Sequence, residues 1–173
     1  MITLILGGAR SGKSRHAEKL AASTQKPVLY IATATASDAE MTVRIAHHQQ
    51  QRPAHWQVRE CPLELIAALS EEAQKPQTIL VDCLTLWLNN QLFHFPVQDF
   101  SELFDELVKQ LESAKADIIF VANEVGLGII PLGEISRTFV DEAGRLNQRI
   151  AQVADNVLFV AAGLPLVLKG KAA

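Results

Sequence analysis

Several things that would mark a specialised chain are scarce or missing. Of 173 residues only Cys61 and Cys83 are cysteines. They lie far apart and match no metal-ligand spacing, so both are expected to be reduced and structural in a cytoplasmic protein. No basic excess exists: sixteen Lys and Arg stand against nineteen Asp and Glu, a net charge of −3. That leaves no surplus to neutralise phosphates and argues against a nucleic-acid or anionic-membrane partner. No apolar run approaches membrane-spanning length, and a strand pattern occupies the first residues where a signal peptide would stand. Repeats, low-complexity tracts and linkers are also lacking. Hydrophobic residues at 49% and charged residues at 20% exclude a disordered or fibrous chain. The length suffices for a proper core, and one domain over residues 1–173 is expected.

What is present begins with the apolar run Ile2–Leu6, followed by Gly7-Gly8-Ala9-Arg10-Ser11-Gly12-Lys13-Ser14. The form is G-x-x-x-x-G-K-S between a strand pattern and a helical one, the setting a phosphate-binding loop needs. Glycines let the backbone wrap an anion, and its N–H groups and the helix N-terminus face phosphate oxygens. Lys13 is expected to reach the β- and γ-phosphates, and the Ser14 hydroxyl to ligate Mg²⁺. The chain is therefore read as binding a nucleoside triphosphate.

Apolar runs alternate with helical patterns along the rest of the chain, the pattern of an α/β fold with a mostly parallel sheet flanked by helices. After the loop, Ala17, Leu20 and Ala21 share an inward helical face, with Glu18 and Lys19 turned outward. Residues 27–32 read as a second strand, ending in Ala32-Thr33-Ala34-Thr35, small and polar as suits a loop near a ligand. A helix is expected from Ser37, capped by Ser37 and Glu40, to Gln50 or Gln51, because Arg52-Pro53 disfavours continuation. Met41, Ile45 and His48 share one stripe of it, with Arg44 beside His48 and His47 pointing away. Periodicity alone makes His48 a histidine at the edge of a packed face.

Residues 55–60 suggest a short edge strand, and Pro62 opens a helix burying Leu65, Ile66 and Leu69 that closes at Ser70–Glu72. The strand Thr78–Asp82 ends in a carboxylate of the kind that holds Mg²⁺ in P-loop proteins. Leu84–Leu88 start an apolar helix, and Phe93-His94-Phe95-Pro96 follow as a loop whose aromatics suit a partner subunit or an apolar ligand. Asp99 and Glu102 cap a helix that points Leu103, Leu107 and Leu111 inward. The strand 118–122 leads to Asn123-Glu124-Val125-Gly126, where ligands of open α/β sheets bind. Glu124 is thus placed either for chemistry or simply in a sharp turn. Residues 133–155 read as helical with Arg145, Asn147 and Arg149 on polar faces, and strands at 157–161 and 166–169 close the chain.

Together these residues resemble the bifunctional adenosylcobinamide kinase / adenosylcobinamide-phosphate guanylyltransferases. The resemblance runs through Gly7–Arg15 with Ala17-Glu18, Tyr30–Thr33, Asp38-x-Glu40-Met41, Arg44-Ile45-x-x-His48, Arg52-Pro53, Trp56 and Glu60. It continues in Asn123–Gly126, Gly144-Arg145-x-Asn147-Gln148 and Gly163-x-Pro165. It implies a RecA-like P-loop NTPase fold and a homotrimer. It further implies phosphorylation of the aminopropanol hydroxyl of adenosylcobinamide with ATP or GTP. Transfer of GMP from GTP to that phosphate would follow, through a guanylylated histidine that the motif places at His48. The nucleotide-contacting positions it implies are Gly8, Ala9, Arg10, Ser11, Gly12, Lys13, Ser14 and Arg15, then Ala32, Thr33 and Ala34, then Gln49, Gln50, Gln51 and Arg52, and finally Glu60 and Asp82. Ser14 and Asp82 are the expected Mg²⁺ ligands, and Lys13 joins His48 as a catalytic residue.

Two other readings of the residues stay open. A plain P-loop small-molecule kinase would form no covalent enzyme–nucleotide and would be indifferent to losing His48. A nucleotide-switched binding module would turn over GTP without cobinamide and respond to a partner.

Overall fold

The computed structural model describes residues 1–35 and 53–171; the expected second helix, with His47, His48, Gln49, Gln50, Gln51 and Arg52, lies outside the described residues. In chain order the elements are β1 (Ile2–Gly7), α1 (Lys13–Ser23), β2 (Val28–Ala32), β3 (Gln57–Glu60), α2 (Leu65–Glu72), β4 (Thr78–Asp82), α3 (Leu84–His94), α4 (Phe100–Glu112), β5 (Asp117–Asn123), α5 (Glu134–Val153), β6 (Asn156–Ala161) and β7 (Leu164–Lys169). The seven strands form one sheet in the order β3-β2-β4-β5-β1-β6-β7. All neighbours are parallel except β6 and β7, which pair antiparallel.

The strand sequences explain this arrangement. β1, β2, β4 and β5 are nearly continuous apolar runs, because a parallel strand is covered on both faces. Successive side chains go to opposite faces. Leu4, Leu6, Ile31, Val81 and Phe120 therefore pack under the helices that carry Leu65, Trp87, Phe104 and Ile150. Ile5, Tyr30, Leu80 and Val121 pack on the other face, against Ala17 and Ala21 of α1. Two alanines one turn apart let α1 approach the sheet closely.

Local expectations held at most elements, and the departures have physical causes. Asp99 does cap α4, accepting from the Ser101 and Glu102 N–H groups at 2.8 and 3.2 Å. Phe104 joins Leu107 and Leu111 in the core, while Leu103 stays at its rim. α2 starts at Leu65, three residues later than Pro62, because the Cys61 N–H still pairs with the Ala32 carbonyl at 2.7 Å and prolongs strand-like pairing. α3 continues through Phe93 and His94, so only Phe95 and Pro96 of that expected loop lie beyond it. Asn147 is 8% exposed, not on a polar face. It sits in the stripe Ala143, Leu146, Asn147 and Ile150 that α5 turns to the core. Glu18 is half-buried with a shielded Oε1, where an outward side chain was expected.

Candidate nucleotide site

The site is built at the carboxyl ends of the strands. β1 ends at Gly7, where a Cβ would lie 2.5 Å from the Val160 carbonyl oxygen and 2.6 Å from Ser11 Oγ. No other residue fits without moving backbone. Beyond it the chain closes on itself: the Ser11 N–H reaches the Gly8 carbonyl at 3.3 Å, and Arg10 and Gly12 take left-handed φ values of 55° and 96°. Gly12 adopts that conformation without strain, and it also lies against Gly163, whose Cα would be 3.1 Å from a Cβ there. The Gly163 N–H, at the turn between β6 and β7, donates to the Ser11 carbonyl at 2.8 Å.

Gly12 is the N-cap of α1 and supplies no side-chain cap. The first N–H groups of the helix are left for an anion, which the helix dipole favours. Lys13, only 8% exposed, folds back so that its Nζ donates to the Gly8 carbonyl at 3.0 Å. Gly8, Ser11, Gly12 and Ser14 are half-buried, whereas Ala9, Arg10 and Arg15 are exposed. Arg15 lines a shallow groove with Glu18, Lys19 and Trp56.

Register brings other expected positions into line with this loop. Glu60, Ala32 and Asp82 stand side by side on β3, β2 and β4. Tyr30 donates its hydroxyl proton to Asp82 Oδ2 at 2.9 Å. Thr33 is fully buried at 0% exposure. Its hydroxyl donates to the Cys83 carbonyl at 2.7 Å and accepts from the Cys83 N–H at 2.8 Å, while its N–H reaches the Asp82 carbonyl at 3.2 Å. Asn90 of α3 donates to the Thr33 carbonyl at 2.9 Å. Thr33 thus holds the end of β4, and its neighbours Ala32 and Ala34 are the half-exposed positions of that segment.

Burial pushes the Cys83 thiol up to about 12; the Asp82 charge adds to the rise and the Lys13 charge opposes it. Cys83 and Cys61 are both free and buried, as expected of structural thiols.

The donor chemistry at Ser14 and Asp82 fits Mg²⁺. That ion takes hard oxygens, typically one or two from the protein, with phosphates and waters supplying the rest. Among the described residues no group of three or more His, Cys, Asp or Glu could hold a metal ion, which a phosphate-sharing Mg²⁺ does not require.

The P-loop was legible because its residues are consecutive. The Tyr30–Asp82 bond, the Thr33 clamp and the contact of Thr85 with the Asn123 N–H at 2.7 Å were not. They depend on which strands are neighbours, and only the apolar context of the Asp82 strand gave any signal.

The chain matches the family described as cobinamide kinase / cobinamide phosphate guanyltransferase over residues 3–168. It is 53% identical over 171 residues to the bifunctional adenosylcobalamin biosynthesis protein CobP of Pseudomonas aeruginosa, covering 99% of each chain. It is 39% identical to the bifunctional adenosylcobalamin biosynthesis protein CobU of Salmonella typhimurium, covering 98% of this chain and all of that one. Among solved structures, the RadB recombinase superposes with a TM-score of 0.51 at 13% identity, over 91% of this chain and 73% of that one. A Pyrococcus horikoshii protein, PH0250, gives 0.59 at 11% identity, over 99% of this chain and 87% of that one. At such identities the likeness concerns the fold, a RecA-like P-loop NTPase sheet.

Proposed function

The chain belongs to the cobinamide kinase / cobinamide phosphate guanyltransferase family, and we propose that it carries out both reactions on adenosylcobinamide in adenosylcobalamin biosynthesis. In the first, the aminopropanol oxygen bonds to the γ-phosphorus of ATP or GTP, the bond to the β-phosphate oxygen breaks, and the alcohol proton passes to solvent. In the second, a nitrogen of the His48 imidazole bonds to the α-phosphorus of GTP and pyrophosphate leaves. The phosphate of adenosylcobinamide phosphate then attacks the same phosphorus, giving adenosylcobinamide-GDP and freeing the imidazole.

The residues supply positioning and charge. Backbone N–H groups of Gly8–Ser14 and the N-terminus of α1 cradle the phosphates. Lys13 sits within that loop, where its ammonium balances charge on the departing diphosphate or pyrophosphate. Mg²⁺, held by Ser14 and Asp82, would neutralise phosphate charge when bound. Arg15, Ala32, Ala34, Gln49–Arg52 and Glu60 are the remaining nucleotide contacts in this reading.

We further read the protein as a cytoplasmic, single-domain homotrimer. Among the described residues no helix is long and apolar enough to cross a membrane. The outermost strand β7, with Leu164, Leu166 and Leu168 exposed, gives subunits an apolar edge on which to meet.

The observation that carries the function is the family match along the whole chain, with its phosphate loop intact between β1 and α1. The test is incubation of purified protein with adenosylcobinamide, Mg²⁺ and GTP. Mass spectrometry should find first the phosphate and then the GDP ester, and the intact protein should gain one GMP. A phosphate product without GDP ester or adduct would leave the plain-kinase reading standing. GTP turnover without either product would leave the binding module.

A further inference from the structure

We propose that the phosphate loop serves guanylyl transfer twice, holding first the tail of GTP and then the phosphate of adenosylcobinamide phosphate, and that Arg10 is the side chain that recognises the second; this rests on the covalent-transfer reading above. The double use follows from displacement at phosphorus, in which the entering and leaving atoms lie in line. The His48 nitrogen enters the α-phosphorus opposite the departing pyrophosphate. The acceptor must then enter opposite that nitrogen, on the face the pyrophosphate has just left. Whatever held the β-phosphate is what the acceptor's phosphate meets, and in this chain that is the loop between β1 and α1.

Arg10 is the unusual residue of that loop. Gly8–Ser11 close a turn, the Ser11 N–H on the Gly8 carbonyl at 3.3 Å, and Arg10 stands third in it with φ at 55°. A positive φ at the third position of a turn suits glycine or asparagine. A long side chain held there is a strained choice of the kind found at ligand sites. The strain serves no contact within the protein: Arg10 is exposed, and among the described residues no carboxylate pairs with it. Lys13, by contrast, is 8% exposed and donates to the Gly8 carbonyl inside the loop. The Gly163 N–H on the Ser11 carbonyl at 2.8 Å fixes the turn's far side. The first turn of α1 holds no acid and carries the exposed Arg15, so nothing there cancels the charge of Arg10.

A terminal phosphate monoester is the ligand that this cation fits. It carries close to two negative charges, and its free oxygens match the guanidinium fork. It must also approach a GMP phosphoryl group that is itself an anion, and Arg10 offsets that repulsion. One acceptor oxygen bonds to the α-phosphorus, the P–N bond breaks, and its electron pair returns to the imidazole. Arg10 neither gives nor takes a proton. Pyrophosphate and the acceptor's phosphate therefore exclude each other from the loop.

The test uses the full chain, guanylylated with GTP and Mg²⁺ and freed of small molecules, with transfer to adenosylcobinamide phosphate read by mass in a single turnover. Arg10→Gly keeps every loop N–H and relieves the backbone, so it should melt no lower than the parent. Its half-saturating concentration of adenosylcobinamide phosphate should rise about tenfold to a hundredfold, the range for losing a hydrogen bond to a charged group. That rise should exceed any change in the GTP concentration needed for labelling by about tenfold. Arg10→Lys should recover part of it, and Arg10→Asn, which tolerates the same φ, should behave as the glycine variant does. In His48→Ala protein, which transfers nothing, pyrophosphate should displace adenosylcobinamide phosphate in calorimetric titrations. Equal rises for GTP and acceptor, an unchanged acceptor dependence, or pyrophosphate and acceptor bound side by side would overturn the proposal. A parent that forms no GMP adduct fails the covalent reading instead; a labelled parent whose transfer is indifferent to Arg10→Gly fails this one.

Discussion

The phenol of Tyr30, 2% exposed, reaches across from β2 to hold Asp82 Oδ2 at 2.9 Å. A neutral donor fixes the carboxylate's rotamer without cancelling its charge, which suits an acid meant to face a cation. Tyr30→Phe keeps the buried ring and removes the hydroxyl that makes that bond. Hydrogen bonds to charged groups contribute about 1.5–3 kcal/mol, so denaturant melts should show a loss of that order, and Mg²⁺ titrations of GTP binding a severalfold weaker midpoint. Asp82→Asn should weaken metal-dependent binding further, in both reactions. Titrations that overlay the parent's in both variants would reduce Asp82 to a strand terminus.

Lys13→Ala should abolish both reactions while leaving the fold intact. A lost charge contact to a transferring phosphate costs a few kcal/mol, on the order of a hundredfold or more in rate. Circular dichroism checks the fold and product mass the activity; near-normal kinase turnover in a folded variant would refute the phosphate role.

The covalent step separates two adjacent histidines. GTP with Mg²⁺ should leave one GMP on His48, labile to acid and stable to alkali as phosphoramidates are. His48→Ala should lose the adduct and the GDP ester yet keep phosphorylating cobinamide; His47→Ala should keep everything. Peptide mapping that places the GMP on His47 or on a lysine would overturn the assignment.

At the opposite end of the strands, where β5 begins, Asp117 accepts from Lys26 Nζ at 2.6 Å. Burial by itself would raise its carboxyl pKa, but hydrogen bonds from Lys26 and the amino terminus outweigh that and hold it below the ordinary 3.8. A carboxylate depressed by folding stabilises the native state above its unfolded pKa and loses that contribution as pH falls through the folded one. Asp117→Asn should therefore be less stable than the parent at pH 7, with the difference shrinking as the pH drops below 3.8. Thermal melts across that range decide it, and a gap independent of pH would show that the charge is irrelevant.

How legible all this was depended on distance along the chain. β4 was read at both ends, because the apolar residues Ile79–Val81 between polar Thr78 and Asp82 have one interpretation in an α/β pattern. The phosphate loop was read in full, since eight consecutive residues carry the geometry. Asn147 was misread because its polarity spoke louder than its place in the stripe of α5. Tyr30 and Asp82 are 52 residues apart, and Thr85 and Asn123 are 38 apart. Such pairs become neighbours only once the strand order is fixed, with β4 between β2 and β5, and nothing local in either residue announces that order.

The grip on the phosphate loop has a thermodynamic consequence. Gly163 holds the Ser11 carbonyl from one side and Glu124 holds the Gly7 carbonyl from the other, while Arg10 and Gly12 already stand in left-handed conformations. The loop is preorganised: the conformational entropy of shaping it was surrendered when the sheet formed, not when a phosphate arrives. Binding then draws on the full attraction between anion and N–H groups, undiminished by loop ordering. Even a bare pyrophosphate, with no base or sugar to help, meets a loop whose backbone is already ordered.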